Sequence, residues 1–431
     1  AKGGLRRMKK YDEYKDSGVA WIGEVPKHWE VIKLKYKYHF QTGATPNTGK
    51  MENFEGELKW ANISDLNGSV VYDTTKHINK EAASKCSMNI SPKGSLMYSF
   101  KLSVGTVAFC GEDMYTNEAI ASFIPQKNDL KYLFYCAPIF IIHNANRNIY
   151  NAPLLNQELI KNALICLPSL NEQTAIVTYL DTHCAKIDNL ISIQQKRIAL
   201  LQELKQSVIT HAVTKGLAPN VKMKQSGVEW IGDVPKHWEV TKLKFKYQFQ
   251  TGATPNTSKK ENFEGDLKWA NISDLNGSVV YDTTKHINKE AASKCSMNIS
   301  PKGSLMYSFK LSVGTVAFCG EDMYTNEAIA SFIPQKNDLK YLFYCAPIFI
   351  IHNANRNIYN APLLNQELIK NALICLPSLT EQTAIASYLD HKCATIDTSI
   401  SNAQHQIDLL QEYKQSLITE VVTGKRKVTD N

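Results

Sequence analysis

Residues 58–170 occur twice in this chain. The 113 positions Leu58–Leu170 are identical to Leu267–Leu379, and a looser likeness at the same offset of 209 runs from Ser17 to Thr214 without insertion or deletion. Solenoid units span ~20–50 residues. A repeat of this length is a whole domain, large enough to hold its own core. The chain must fold as two copies of one unit, so any activity assigned to one belongs to both. The changes gather upstream of the identical block, as in Ile32 to Thr241, His39 to Gln248 and Glu57 to Asp266, and in the segment that follows it.

That following segment, 169–213, reads as one long amphipathic helix. Leu180, Ile187, Leu201 and Val208 form a seven-residue ladder flanked by Val177, Cys184, Ile191 and Ile198, the seam of a coiled coil with Gln194 as its one polar rung. Ser169 and Glu172 have capping-box spacing at the start. No Pro or Gly intervenes before Gly216, so the helix would be roughly 65 Å long at 1.5 Å per residue. The copy at 378–422 carries Leu389, Ile396, Leu410 and Leu417, flanked by Ala386, Cys393, Ile400 and Ile407, with Ala403 at the polar rung and Ser378 with Glu381 at the start. The simplest partner for each seam is the other; the alternative is that each helix packs on its own globular neighbour.

With 431 residues there is room for two to four domains. The apolar run around Tyr132–Ile142 is short and holds Pro138, no run reaches the eighteen or so residues that span a membrane, and no signal peptide is visible, so a cytoplasmic protein is expected. Met8 reads as the start, with Ala1–Arg7 a remnant ahead of it. The ten cysteines are five repeated; none makes a C-x-x-C pair or a zinc-spaced cluster with His, and they read as reduced core thiols. The net charge of +8, from 49 basic and 41 acidic residues, is compatible with nucleic acid without requiring it.

Within each unit, VIKLKYKYHF alternates, predicting a half-buried strand with Lys33, Lys35 and Lys37 on one face, and Lys242, Lys244 and Lys246 in the copy. Such a row suits a phosphate backbone and equally a solvated face or a guarded sheet edge. QTGATPNTGK has five residues between Gly43 and Gly49 where a Walker loop has four, and the copy replaces Gly49 with Ser258, which excludes a phosphate loop of that type. SLMYSF and VGTVAF read as short strands, and the whole as a mixed α/β domain with considerable loop. HNANRNIYNAP, 143–153, is dense in Asn with one Arg, the side chains that pair bidentately with adenine and guanine edges; it is equally an Asn-rich turn. The expected layout is a first domain at 8–168, a helix at 169–215, a linker at 216–225, a second domain at 226–377, a helix at 378–424 and a basic tail at 425–431.

No G-x-S-x-G, H-E-x-x-H or Walker sequence is present, and NAPL at Asn151 lacks the second proline and the aromatic of the N-P-P-Y motif of amino-methyltransferases. His28, His143 and Glu118 are isolated titratable groups. No catalytic or metal-binding residue is expected: the chain reads as a reader rather than a catalyst.

The openings SGVAWIGEVPKHWEVIKLK and SGVEWIGDVPKHWEVTKLK, the motifs GATP, SFKLSVG and TNEAI, the helix entry LPSLNEQTAI…YLD and the junction VTKGLAPNVKMKQSGVEWIG together resemble the specificity subunits of type I restriction–modification systems over essentially Met8–Gly424. The resemblance implies two target-recognition domains separated by an antiparallel coiled coil of the two long helices, with pseudo-two-fold symmetry. It implies double-stranded DNA, two methyltransferase subunits and restriction subunits as partners, in a bacterial or archaeal cytoplasm and without a membrane. The S-adenosylmethionine and the ATP with magnesium would belong to those partners, and no cofactor to this chain. Family members commonly carry unlike domains; two identical ones predict an inverted-repeat target around a non-specific spacer. The residues expected at DNA are the six lysines above with Ser99, Lys101, Asn117, Glu118, Asn144, Asn146, Arg147 and Asn148, and in the copy Ser308, Lys310, Asn326, Glu327, Asn353, Asn355, Arg356 and Asn357. The helix seam is expected at Leu180, Ile187, Ile191, Ile198, Leu201 and Val208 against Leu389, Ile396, Ile400, Ile407, Leu410 and Leu417. A coiled-coil scaffold that never reads DNA and a methyltransferase or nuclease with degenerate motifs are the competing readings.

Overall fold

The computed structural model describes residues 9–126 and 129–428; Met8, the residues before it and the last three of the tail lie outside that range. The chain divides into two compact units, and the division ignores the repeat boundary. One unit joins residues up to 194 with those from 405 onward; the other is 195–404. Each therefore holds one globular head, the first part of the long helix leaving that head, and the last part of the other long helix.

In the first unit the head is built on a five-stranded sheet in the order Phe40–Thr42, Ile120–Phe123, Leu96–Ser99, Val107–Cys110, Val70–Val71, antiparallel except for its last neighbour. Leu96–Ser99 and Ile120–Phe123 are buried along their whole length, so their apolar runs do not alternate. Leu96, Tyr98, Ala121 and Phe123 face the main core, whereas Met97 and Ile120 face a smaller one with Ala61, Leu66 and Val71. A second sheet orders Tyr115–Thr116, Leu58–Ala61 and Lys76–Ile78. The helices are α1 (Lys80–Lys85), α2 (Leu130–His143), α3 (Gln157–Asn162) and the long α4 (Leu170–Lys215).

α2 is the apolar run that holds Pro138. Asp129 caps it, accepting from the Lys131 amide at 2.7 Å, and nine of its fourteen residues are buried. A helix apolar all round must be enclosed, and here the enclosure is the sheet and the start of α4. Tyr132 donates to the Cys166 carbonyl at 2.7 Å and Tyr135 to Asp181 Oδ1 on α4 at 2.6 Å. Among the described residues no helix is long and apolar enough to cross a membrane.

The basic strand expected at VIKLKYKYHF is corrected. The strand is Glu30–Lys33, paired antiparallel with Leu164–Leu167; a 3-10 turn at Leu34–Tyr36 ends it, and a new strand starts at Phe40. The amides of Lys37 and Tyr38 bond the Leu34 carbonyl, and the Leu34 amide bonds the Ala163 carbonyl, which buries Leu34 and Tyr38 together. Core burial at a spacing of four overrides the alternation, and the three lysines share no face of a strand. The capping box is half formed. Ser169 Oγ accepts from the Glu172 amide at 3.4 Å, but the Glu172 carboxylate takes the Tyr11 hydroxyl at 2.7 Å and His28 Nε2 at 3.0 Å. The helix start is thereby pinned to the head. In the second unit Glu381 takes Trp238 Nε1 at 2.9 Å and His237 at 3.0 Å.

The second unit repeats the head, with α5 (Lys289–Lys294), α6 (Leu339–His352), α7 (Gln366–Asn371) and the long α8 (Leu379–Val422). The long helices pair with each other, not only with their own heads. In the first unit Ile176, Val177, Leu180 and Ile187 of α4 share a core with Leu417, Val421 and Val422 of α8, with Ile191 and Leu410 at its margin. Asp188 meets Lys414 at 2.6 Å. In the second unit Leu389 and Cys393 of α8 share a core with Ala212 and Val213 of α4, with Val208 at its margin, and Lys205 meets Asp397 at 2.7 Å. The start of α4 lies with the end of α8 and the end of α4 with the start of α8, so the two run antiparallel. Ile396 and Ile407 are buried, while Ile198, Leu201 and Ile400 are half-buried.

Candidate nucleic-acid interface

Each head presents one edge on which three short segments meet, and the sequence explains why they are close. Gly43 lies so near Thr116 that a Cβ would stand 1.7 Å from its carbonyl oxygen; only glycine permits that approach. The Ala44 amide then bonds the Thr116 carbonyl at 3.0 Å, and Trp60 Nε1 the Ala44 carbonyl at 3.0 Å. This lays GATP on TNEAI and brings the Thr45 hydroxyl into a short hydrogen bond with Glu118. Asn117 is held by its own turn: its amide bonds the Ala61 carbonyl and its Oδ1 accepts from the Ala119 amide at 3.0 Å. The pairing of Ser99 with Ile120 and the bond from the Phe100 amide to the Ala119 carbonyl set the Lys101 loop beside Glu118.

Burial pushes the Glu118 carboxyl up, but the Thr45 hydroxyl, its own backbone amide and Lys101 outweigh it, so it sits below its ordinary value; Glu327 does likewise beside Thr254 and Lys310. Both stay anionic at neutral pH. Of the expected contact residues in this turn, Lys101 and Glu118 are exposed. Ser99 is fully buried and its hydroxyl bonds the Ser103 carbonyl, so it shapes the loop. Ser308, Lys310, Asn326 and Glu327 take the same places in the second head.

The Asn-rich segment forms a small hairpin, Asn146–Arg147 against Pro153–Leu154. Much of its polarity is consumed by the turn itself. Asn148 Oδ1 accepts from the amides of Tyr150 and Ala152, both at 2.9 Å, and Arg147 Nη1 donates to the Asn151 carbonyl at 2.9 Å. Asn144 follows α2 and donates from its side chain to the Leu159 carbonyl at 2.6 Å. Asn353, Arg356 and Asn357 repeat these bonds. Asn146, Arg147, Asn355 and Arg356 are exposed. Gln157 Nε2, at the start of α3 just beyond the hairpin, donates to Thr42 Oγ1 at 3.0 Å, on the strand that leads into Thr45. The tip, Ile149 and Tyr150, is not among the residues that hydrogen-bonding capacity singles out in this segment; two large apolar groups inside a polar run are the sequence signal for it.

The lysines are dispersed. Lys33 is exposed at a strand end, Lys35 donates to Asn162 Oδ1 at 3.0 Å, and Lys37 pairs with Glu30 at 3.4 Å. Lys242, Lys244 and Lys246 match them, with Lys244 on Asn371 and Lys246 on Glu239 at 2.7 Å. Of the isolated titratable groups, His28 serves the Glu172 anchor, and His143 stacks on Trp21 at 3.9 Å between ring centres. Among the described residues no group of three or more His, Cys, Asp or Glu is placed to hold a metal. All ten cysteines are unpaired, and burial pushes Cys110 and Cys166 up to about 12, which leaves them inert thiols.

The family model for the type I restriction modification DNA specificity domain matches residues 26–202 and again 235–407. The type I restriction enzyme MjaIX specificity subunit of Methanocaldococcus jannaschii is 23% identical over 435 residues, covering 95% of this chain and 96% of its own length. The EcoBI specificity subunit of Escherichia coli is 21% identical over 358 residues, covering 78% and 75%. A solved chain, described for complex assembly and conformational transition of the type I R-M system, aligns at a TM-score of 0.70 and 15% identity, covering 92% of this chain and 98% of that one. At that identity the likeness is one of fold.

Proposed function

We propose that this chain, which belongs to the type I restriction–modification DNA specificity family, reads a DNA target in two separated halves, one under each head. It is the specificity subunit of such a system and not its catalyst. The observation that carries the finer reading is the identical block. Heads with no difference from Leu58 to Leu170 and from Leu267 to Leu379 have the same base preference, and antiparallel helices set them on opposite strands. The target is then an inverted repeat around a spacer that the helices measure.

The edge of each head supports this chemistry. An anionic Glu118 accepts from the cytosine amino group, while Lys101 and Arg147 donate to guanine O6 and N7, and Asn146 pairs with adenine. Lys33 and Lys35 sit on the phosphate backbone, as Lys242 and Lys244 do in the second head. Three bidentate contacts give one head about 3–9 kcal/mol of discrimination, marginal against ~10⁶ or more competing sites. Two tethered heads add their terms, because the second encounter is intramolecular. The methyltransferase partners, two of them docked on the helices, bring S-adenosylmethionine and the chemistry; the restriction subunits bring ATP and magnesium.

The test is selection from random duplex DNA by the chain assembled with its methyltransferase partner. Enrichment of a two-part motif is expected. Equal recovery of all sequences would leave a coiled-coil scaffold without base reading.

A further inference from the structure

The tips of the two hairpins carry pairs of large apolar side chains that are among the most exposed of the described residues: Ile149 is 91% and Tyr150 84% accessible, and Ile358 and Tyr359 are 90% and 83%. Among the described residues none covers them. Leaving them solvated forgoes the gain that large apolar groups make on burial, and both heads bear this at the same place. The tip is also built rigid. Asn148 Oδ1 gathers two amides, Asn151 takes the left-handed conformation at φ +60°, and Arg147 closes on the Asn151 carbonyl. A left-handed non-glycine residue and a guanidinium with its Nη1 held by the turn and its other donors left over are features of a presented surface rather than of a slack loop.

We propose that Ile149 and Tyr150, with Ile358 and Tyr359 in the second head, are a wedge that opens one base step of the bound duplex; this rests on the DNA-reading assignment above. The shape argues for it. A convex tip two side chains wide buries far less than the ~800 Å² per partner of a stable protein interface, but it matches the single apolar group that kinks DNA when driven between stacked bases. The position agrees, since Gln157, three residues past the hairpin strand, bonds Thr42, three residues before the Thr45 that meets Glu118. Ile149 prises the step apart, and the Tyr150 ring covers a base face that loses its stacking partner. Unstacking is offset by extra contact to the bent duplex, and steps that open readily, such as TA and CA, are preferred at that position although no hydrogen bond reads them.

The test compares the full chain with the variant Ile149→Ala, Tyr150→Ala, Ile358→Ala, Tyr359→Ala, each assembled with the methyltransferase partner, on duplexes labelled at both ends for energy transfer. On the selected target the wild type should kink the DNA by about 20–90°. The variant should leave it straight and bind it roughly 10–100-fold more weakly, while keeping its preference for target over random duplex. Ile149→Leu with Ile358→Leu should restore the kink. The wedge is overturned if the alanine variant bends the target as the wild type does, or if it fails to assemble with the methyltransferase in the absence of DNA, which would make the tip a protein contact. A wild type that shows no preference for target over random duplex refutes the DNA-reading assignment itself, and the wedge falls with it.

Discussion

At the level of single residues, Glu118 is the side chain whose role is most open to test. Thr45, a backbone amide and Lys101 hold it ionised at an open edge, which suits an acceptor for a base and equally suits a loop brace. Glu118→Gln with Glu327→Gln keeps the shape and replaces an acceptor by an amide that favours adenine. The selected half-site should change at one position, with about 1–3 kcal/mol of discrimination moved; an unchanged motif makes the residue a brace. His143 gives a pH prediction. Burial and then Arg147 lower its affinity for a proton, so folding favours the neutral ring stacked on Trp21. That stabilisation is complete above the unfolded value, roughly 6.5, and is lost as pH falls through the lower folded value. Tryptophan fluorescence should change on acidification below the ordinary histidine range and should not when both stacked histidines are replaced, as His143→Phe with His352→Phe. What the sequence shows of the site is its residue types; it does not show which polar groups are consumed locally. Asn148 and Asn144 look like base readers as letters, and the structure commits them to amides and a carbonyl.

Among elements, the long helices are the most legible part of the chain. A ladder over many turns admits few alternatives, and α4 covers Leu170–Lys215 where the ladder predicts 169–213. The segment at Lys33–Lys37 misleads because a window of alternating residues cannot show that Leu34 and Tyr38 are both wanted in the core. The capping box is half legible, since the spacing names the cap but not Tyr11 and His28 as rivals for Glu172. The pairing energy resides in the seam and not in its ion pairs. Leu180→Ala removes a fully buried side chain and should lower stability by about 2–5 kcal/mol. Asp188→Lys breaks a pair in which Lys414 is 31% and Asp188 55% accessible and should cost no more than about 1 kcal/mol, shrinking with salt. Urea denaturation of the two variants at low and high salt separates these; equal losses would place the pairing energy in the charges.

For the molecule as a whole, the repeat announces two domains, but the compact units are not legible. Each unit borrows the last part of the other repeat's helix; the pairing of the two seams is expected from their matching ladders, but where the compact units divide the helices is not. The exchange has a structural consequence: the core of each unit draws residues from both long helices. On the proposed reading, the identity of Leu58–Leu170 with Leu267–Leu379 makes the two halves of the target alike. Long-read methylome sequencing of cells that carry this chain with its methyltransferase partner addresses that directly. The methylated motif should be two copies of one short sequence on opposite strands, separated by a spacer of constant length and no base preference; a motif with unlike halves would contradict it.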